Sequence, residues 1–106
     1  MTREEIAIII NNFGLPCAYY SFPIEQSPNL PFIIYYYEAD NDVIADNNNF
    51  VKVDNLRIEL YTEIPDFALI DSIDAQIPFP HSRETVYVEM ERMFETIFES
   101  EVIING

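Results

Sequence analysis

Apolar positions change their spacing along this chain, and each change predicts an element. Ile6, Ile9, Ile10 and Phe13 recur at i, i+3, i+4 and i+7, whereas Glu4, Glu5, Asn11 and Asn12 lie largely elsewhere on the wheel. That is an amphipathic helix. Thr2 and Glu5 have the spacing of a capping box, and Met1 stands where it can staple against Ile6. Gly14 supplies a left-handed C-terminal cap, and Pro16 stops any continuation. Cys17 to Phe22 is aromatic-rich and predicts a short first strand. Pro23, Pro28 and Pro31 then make an extended connection with little freedom to pair.

Phe32 to Tyr37 is a continuous apolar and aromatic run, which predicts a strand in the middle of a sheet. Between Ala39 and Asn49 the chain turns polar, with Asp40, Asn41, Asp42, Asp46, Asn47, Asn48 and Asn49 forming an acidic loop between two strands. Loops of this length in compact domains are often functional. In the next strand Val51 and Val53 share one parity, whereas Leu56, Ile58 and Leu60 share the other, so a bulge or bend is expected at Asp54 and Asn55.

Pro65 is expected to open a second helix with Phe67, Ile70, Ile73 and Ile77 on one stripe and Asp66, Asp71 and Asp74 outside it. Pro78 ends it. The stretch from Glu84 to Val102 fits either a helix or alternating strands. Its β-branched and aromatic content favours strands over about Val86 to Tyr87 and Met93 to Val102. The predicted fold is α+β: a single domain over residues 1–106, with an antiparallel sheet of about four to five strands and two helices packed on it.

Composition sharpens this picture. Nineteen acidic and five basic side chains give a net charge of -14 over 106 residues, yet 49 % of the residues are hydrophobic. Disordered acidic tails lack such an apolar fraction, so a folded domain with a strongly negative surface is expected. Tight binding to nucleic acid phosphates is opposed by that charge. One cysteine, Cys17, excludes an internal disulfide. Met1 to Ile10 has neither a signal-peptide nor an anchor pattern, and no run approaches the ~20 apolar residues of a membrane span. A soluble chain made in a cytoplasm is expected.

Reactive chemistry finds little support. Asp40 and Asp42 begin a calcium-loop pattern, but Ile44, Ala45 and Val51 break it. His81 is the sole imidazole and sits in a loop between Pro80 and Ser82 without a nucleophile motif. Two glycines, Gly14 and Gly106, cannot build a phosphate cradle. No catalytic, cofactor-binding or metal-binding residue is therefore assigned. A strand over Met93 to Val102 would place Glu95, Glu99 and Glu101 on one face, opposite Phe94, Phe98 and Val102. This row reads as a solubilising outer face or as a deliberately negative functional surface.

The order of motifs resembles a family. Gly14-Leu15-Pro16 follows the first helix. Then come Leu30-Pro31-Phe32-Ile33-Ile34-Tyr35, Asn49-Phe50, Ile58-Glu59-Leu60-Tyr61-Thr62, and Tyr87-Val88-Glu89-Met90-Glu91-Arg92-Met93-Phe94-Glu95. Together they resemble the small tail-completion, or tail-terminator, proteins of long-tailed bacteriophages and prophages of Gram-positive bacteria. The stretch from Glu63 to Pro78 is shorter and less basic than that pattern.

The resemblance implies a non-enzymatic virion component at the head-tail junction, made in the bacterial host cytoplasm. It implies a ring, expected to be of six copies, whose partners are the chain itself, the major tail tube protein and a head-tail connector protein. DNA would pass through without tight binding. The loop Asp40 to Asn49 is then a candidate interface and Glu95, Glu99 and Glu101 a candidate lumen face. The charge also suits a second class, an acidic DNA-mimic inhibitor seated in a basic host protein groove.

Overall fold

The computed structural model describes residues 1–38, 43–44 and 50–105. The first helix, α1 (Arg3–Asn11), begins with the expected capping box: the Glu5 amide donates to Thr2 Oγ1 and the Thr2 amide to Glu5 Oε1. Such a cap is worth about 1 kcal/mol. Asn12 is the C-cap, and Gly14 follows at φ +84°, a left-handed conformation that suits a residue without Cβ.

Five strands form one sheet in the order β1 (Cys17–Tyr19), β2 (Phe32–Tyr37), β5 (Val53–Thr62), β7 (Met93–Ile103), β6 (Ser82–Val88). Two more, β3 (Val43–Ile44) and β4 (Phe50–Val51), pair separately with each other. The second helix, α2 (Phe67–Gln76), joins β5 to β6. Ile33 of β2, Leu56, Ile58 and Leu60 of β5, and Phe98 and Val102 of β7 share one face. Ile6 and Ile10 of α1 and Ile70 and Ile73 of α2 join them in a single buried core. Each such side chain contributes roughly 1.5–3 kcal/mol by leaving water. Both helices therefore lie on one face, and the other carries none.

The α+β class holds, but several local expectations change. The sheet is mixed, because β1 runs parallel to β2. The proline-bearing segment after Tyr19 carries the chain back to the start of β2, which a short hairpin cannot do. The first strand stops at Tyr19 rather than Phe22. The Phe32–Tyr37 run lies second from an edge, and the longer β5 takes the centre. No bulge interrupts β5, whose pairing with β7 is regular from Val53 to Thr62.

The parity slip has another cause. Asp54 occupies a core-face position and is fully buried, where its Oδ2 accepts from Arg3 Nε at 2.8 Å and Nη2 at 2.6 Å. A paired charge stands where the apolar pattern anticipates a hydrophobe. Asp66, not Pro65, starts α2, its Oδ1 capping the Leu69 amide. Phe67 leaves the predicted stripe and is 69 % exposed. The ambiguous C-terminal third is extended, with β6 reaching back to Ser82 and β7 on to Ile103.

Candidate functional site

Alternation along the three central strands builds the helix-free face. Register places Phe32, Ile34 and Tyr36 of β2 beside Tyr61, Glu59 and Arg57 of β5. These in turn lie beside Glu95, Ile97 and Glu99 of β7, with Glu101 next along. Glu95, Glu99 and Glu101 are thus brought onto one face, as the strand spacing implied. They are not a bare solvated row.

Arg57 organises one half. Its Nε donates to Glu59 Oε2 at 2.8 Å and its Nη1 to Glu99 Oε1 at 3.1 Å, with Glu38 at 3.7 Å. Burial acts to lower the Arg57 pKa, but the Glu59 hydrogen bond and charge outweigh it, so the guanidinium is held firmly charged. Tyr61 organises the other half. Its hydroxyl lies 2.7 Å from Glu95 Oε2 and 3.1 Å from Glu59 Oε1. One hydroxyl proton serves one of these acceptors at a time. Burial first, and the nearby Glu59 after it, push the Glu95 carboxyl above its usual range against the opposing Tyr61 hydrogen bond.

An aromatic wall borders this acidic patch. At Tyr20 the backbone turns left-handed, φ +72°, and its ring stacks on Tyr36 at 5.2 Å between centroids. Phe22 meets Phe32 edge-on at 5.4 Å, and Phe32 lies 5.2 Å from Tyr61. The resulting open groove, of about 480 Å³, is lined by Tyr20, Phe22, Phe32 and Tyr61 and by Glu59, Glu91 and Glu95.

Sequence reasoning missed Arg57, Glu59 and Tyr61. The signal was present in the alternation Arg57-Ile58-Glu59-Leu60-Tyr61, whose polar half faces away from the core. The other predicted interface, Asp40, Asn41, Asp42, Asp46, Asn47, Asn48 and Asn49, lies outside the described residues.

His81 has a structural role. Its Nδ1 donates to the Phe79 carbonyl at 2.8 Å, and its Nε2 bonds Asp74 of α2. Ser82 and Ser100 line the same hollow, but each ring nitrogen already has a partner, and in the charged form both donate, which leaves no lone pair for activating a hydroxyl. Burial opposes the charged form, yet the Phe79 and Asp74 contacts outweigh it and raise the His81 pKa above its ordinary value. Stability from this contact is therefore full below pH 6.5 and is lost as pH rises through the elevated folded value. His81→Gln is expected to cost about 1 kcal/mol at pH 6 and clearly less at pH 9, as read by urea unfolding at both values.

Cys17 donates its thiol to Asn11 Oδ1 at 3.3 Å, and burial pushes its pKa up, away from the reactive thiolate. Among the described residues no group of three His, Cys, Asp or Glu side chains is placed to hold a metal ion. No helix among them is long and apolar enough to cross a membrane.

Fold and face together define a small α+β sheet protein with one helix-covered and one acidic, aromatic-walled surface. The same fold occurs in a solved structure described as the virion of a native gene transfer agent particle. It matches with a TM-score of 0.57 and 13 % identity, over 94 % of this chain and 86 % of that one. At this identity the likeness shows a shared fold. No family model matches the chain, and neither does any curated protein.

Proposed function

We propose that this chain is a structural component of a phage-like virion, a tail-terminator or tail-completion protein that forms a ring at the head-tail junction. The observation that carries the reading is the fold shared with a virion chain over nearly the whole length. The motif order points to the same family, and the helix-free face supplies a matching physical rationale. DNA carries one negative charge per ~1.7 Å of axis. A bore lined by Glu95, Glu99 and Glu101 would repel it and let it slide, whereas a basic bore would hold it.

A ring also needs a head-to-tail interface whose rotation closes, and tube and connector proteins would meet its two rims. The charge of -14 equally suits a DNA mimic. That reading predicts a monomer or dimer bound to a basic host protein, but it leaves the virion fold unexplained. Imaging the neck of particles that encode this chain tests the proposal.

A further inference from the structure

The groove on the helix-free face is short of hydrogen-bond donors. The Glu59 side chain is only 9 % exposed, and its Oε2 is held by Arg57 at 2.8 Å. Its Oε1 has the Tyr61 hydroxyl at 3.1 Å, but that hydroxyl lies nearer to Glu95 Oε2, at 2.7 Å, and has one proton to give. With the proton on Glu95, the buried Glu59 Oε1 is left without a donor from the chain. Glu95 itself forms no ion pair among the described residues. Glu91 adds a third carboxylate to the lining.

The walls add a second requirement. Tyr20, Phe22, Phe32 and Tyr61 line the groove, and among the described residues no basic side chain does. Rings beside carboxylates suit a guanidinium, which lies flat on a ring face while its planar fork donates to two acceptors. An ammonium matches only the charge.

This chain is poorly placed to supply that group. Arg3, Arg57 and Arg83 are paired internally, with Asp54, Glu59 and Asp71. Arg92 stands in the β6–β7 turn beside exposed Glu89 and Glu91, so that turn is net negative. The remaining cation, Lys52, has no guanidinium. Charge complementarity therefore selects a different protein.

We propose that the groove receives an arginine from a basic segment of a different protein, held between the aromatic wall and the Glu59 and Glu95 carboxylates. The inference rests on the ring reading for the partner's place, a tail tube or connector protein meeting the ring. Glu95 then belongs to that contact, and Glu99 and Glu101, further along β7, remain for the bore.

The test titrates isotope-labelled full-length chain with a capped tri-arginine peptide at about 0.15 M salt, where long-range attraction is screened. Amide shifts should concentrate at Phe22, Phe32, Tyr61 and Glu95, and a tri-lysine peptide should bind several-fold more weakly. Glu95→Gln should weaken binding about tenfold. Glu4→Gln, which removes the same charge from exposed α1 surface, should change it less than about twofold. Tyr20→Ala should weaken it about threefold at unchanged charge. Tyr20 is exposed, so this variant keeps the test decisive where Glu95→Gln fails to fold. Shifts spread over the whole acidic surface, equal losses for Glu95→Gln and Glu4→Gln, no loss with Tyr20→Ala, or tri-lysine binding as tightly would overturn the proposal. If neck images show a ring while the peptide misses the groove, only the groove assignment is wrong. If the peptide seats in the groove while the neck lacks the chain, the site stands and the ring reading falls.

Discussion

Arg3→Ala is expected to destabilise the chain by up to about 3 kcal/mol, the low end of the cost of stranding one partner of a buried ion pair, because Asp54 is buried while the Arg3 side chain is 47 % accessible. Asp54 is fully buried and takes both its described hydrogen bonds from Arg3 on Oδ2, while Oδ1 has no hydrogen-bond partner among the described residues. The guanidinium also lies 5.5 Å from the centre of the Tyr37 ring. Removing it leaves a carboxylate without its cation on the face that carries Leu56 and Ile58. Against a typical total of 5–15 kcal/mol, such a loss leaves little margin.

Arg3→Lys should recover only part of the loss, because an ammonium cannot reproduce the two-nitrogen grip. Combining Arg3→Ala with Asp54→Asn should recover more, since the stranded charge is then gone. Urea midpoints for the three variants check this. A loss under 1 kcal/mol for Arg3→Ala would mean that the pair does not hold α1 to the sheet.

The double variant Glu99→Lys, Glu101→Lys is expected to fold nearly normally and to obstruct DNA. Both side chains are exposed, and the Glu99 carboxylate, half accessible, gives a surface pair with Arg57 worth at most about 1 kcal/mol. Each chain loses two negative charges and gains two positive ones, a shift that a bore of several copies multiplies. About six new phosphate contacts would change binding by roughly 10³ between 50 and 200 mM salt. Variant particles should therefore assemble, retain DNA at low salt, and release it as salt rises. Dye-monitored DNA ejection across that salt range gives the readout. Ejection as fast as from unaltered particles at 50 mM salt would remove these residues from the bore.

Much of the fold was legible because it depends on local periodicity. The capping box at Thr2, the stripe of Ile6 and Ile10, and the alternation of Phe94, Thr96 and Phe98 all report burial within one element. What stayed hidden depends on partners far along the chain. Asp54 looked like a bulge because Arg3, its partner, is 51 residues away. The central place of β5 and the parallel edge of β1 follow from pairing, which no single strand encodes. The acidic face was half legible: β7 showed its glutamates by parity, but the Arg57, Glu59 and Tyr61 network required the register between β5 and β7.

The most direct measurement is electron cryo-microscopy of the neck in particles that encode this chain. The account predicts a closed ring of this chain between connector and tail tube, with the helix-free face of the sheet toward the bore or the neighbouring subunit and carboxylates lining the channel. A neck fully accounted for by other chains, or this chain found as a monomer or dimer on a basic host protein, would contradict it.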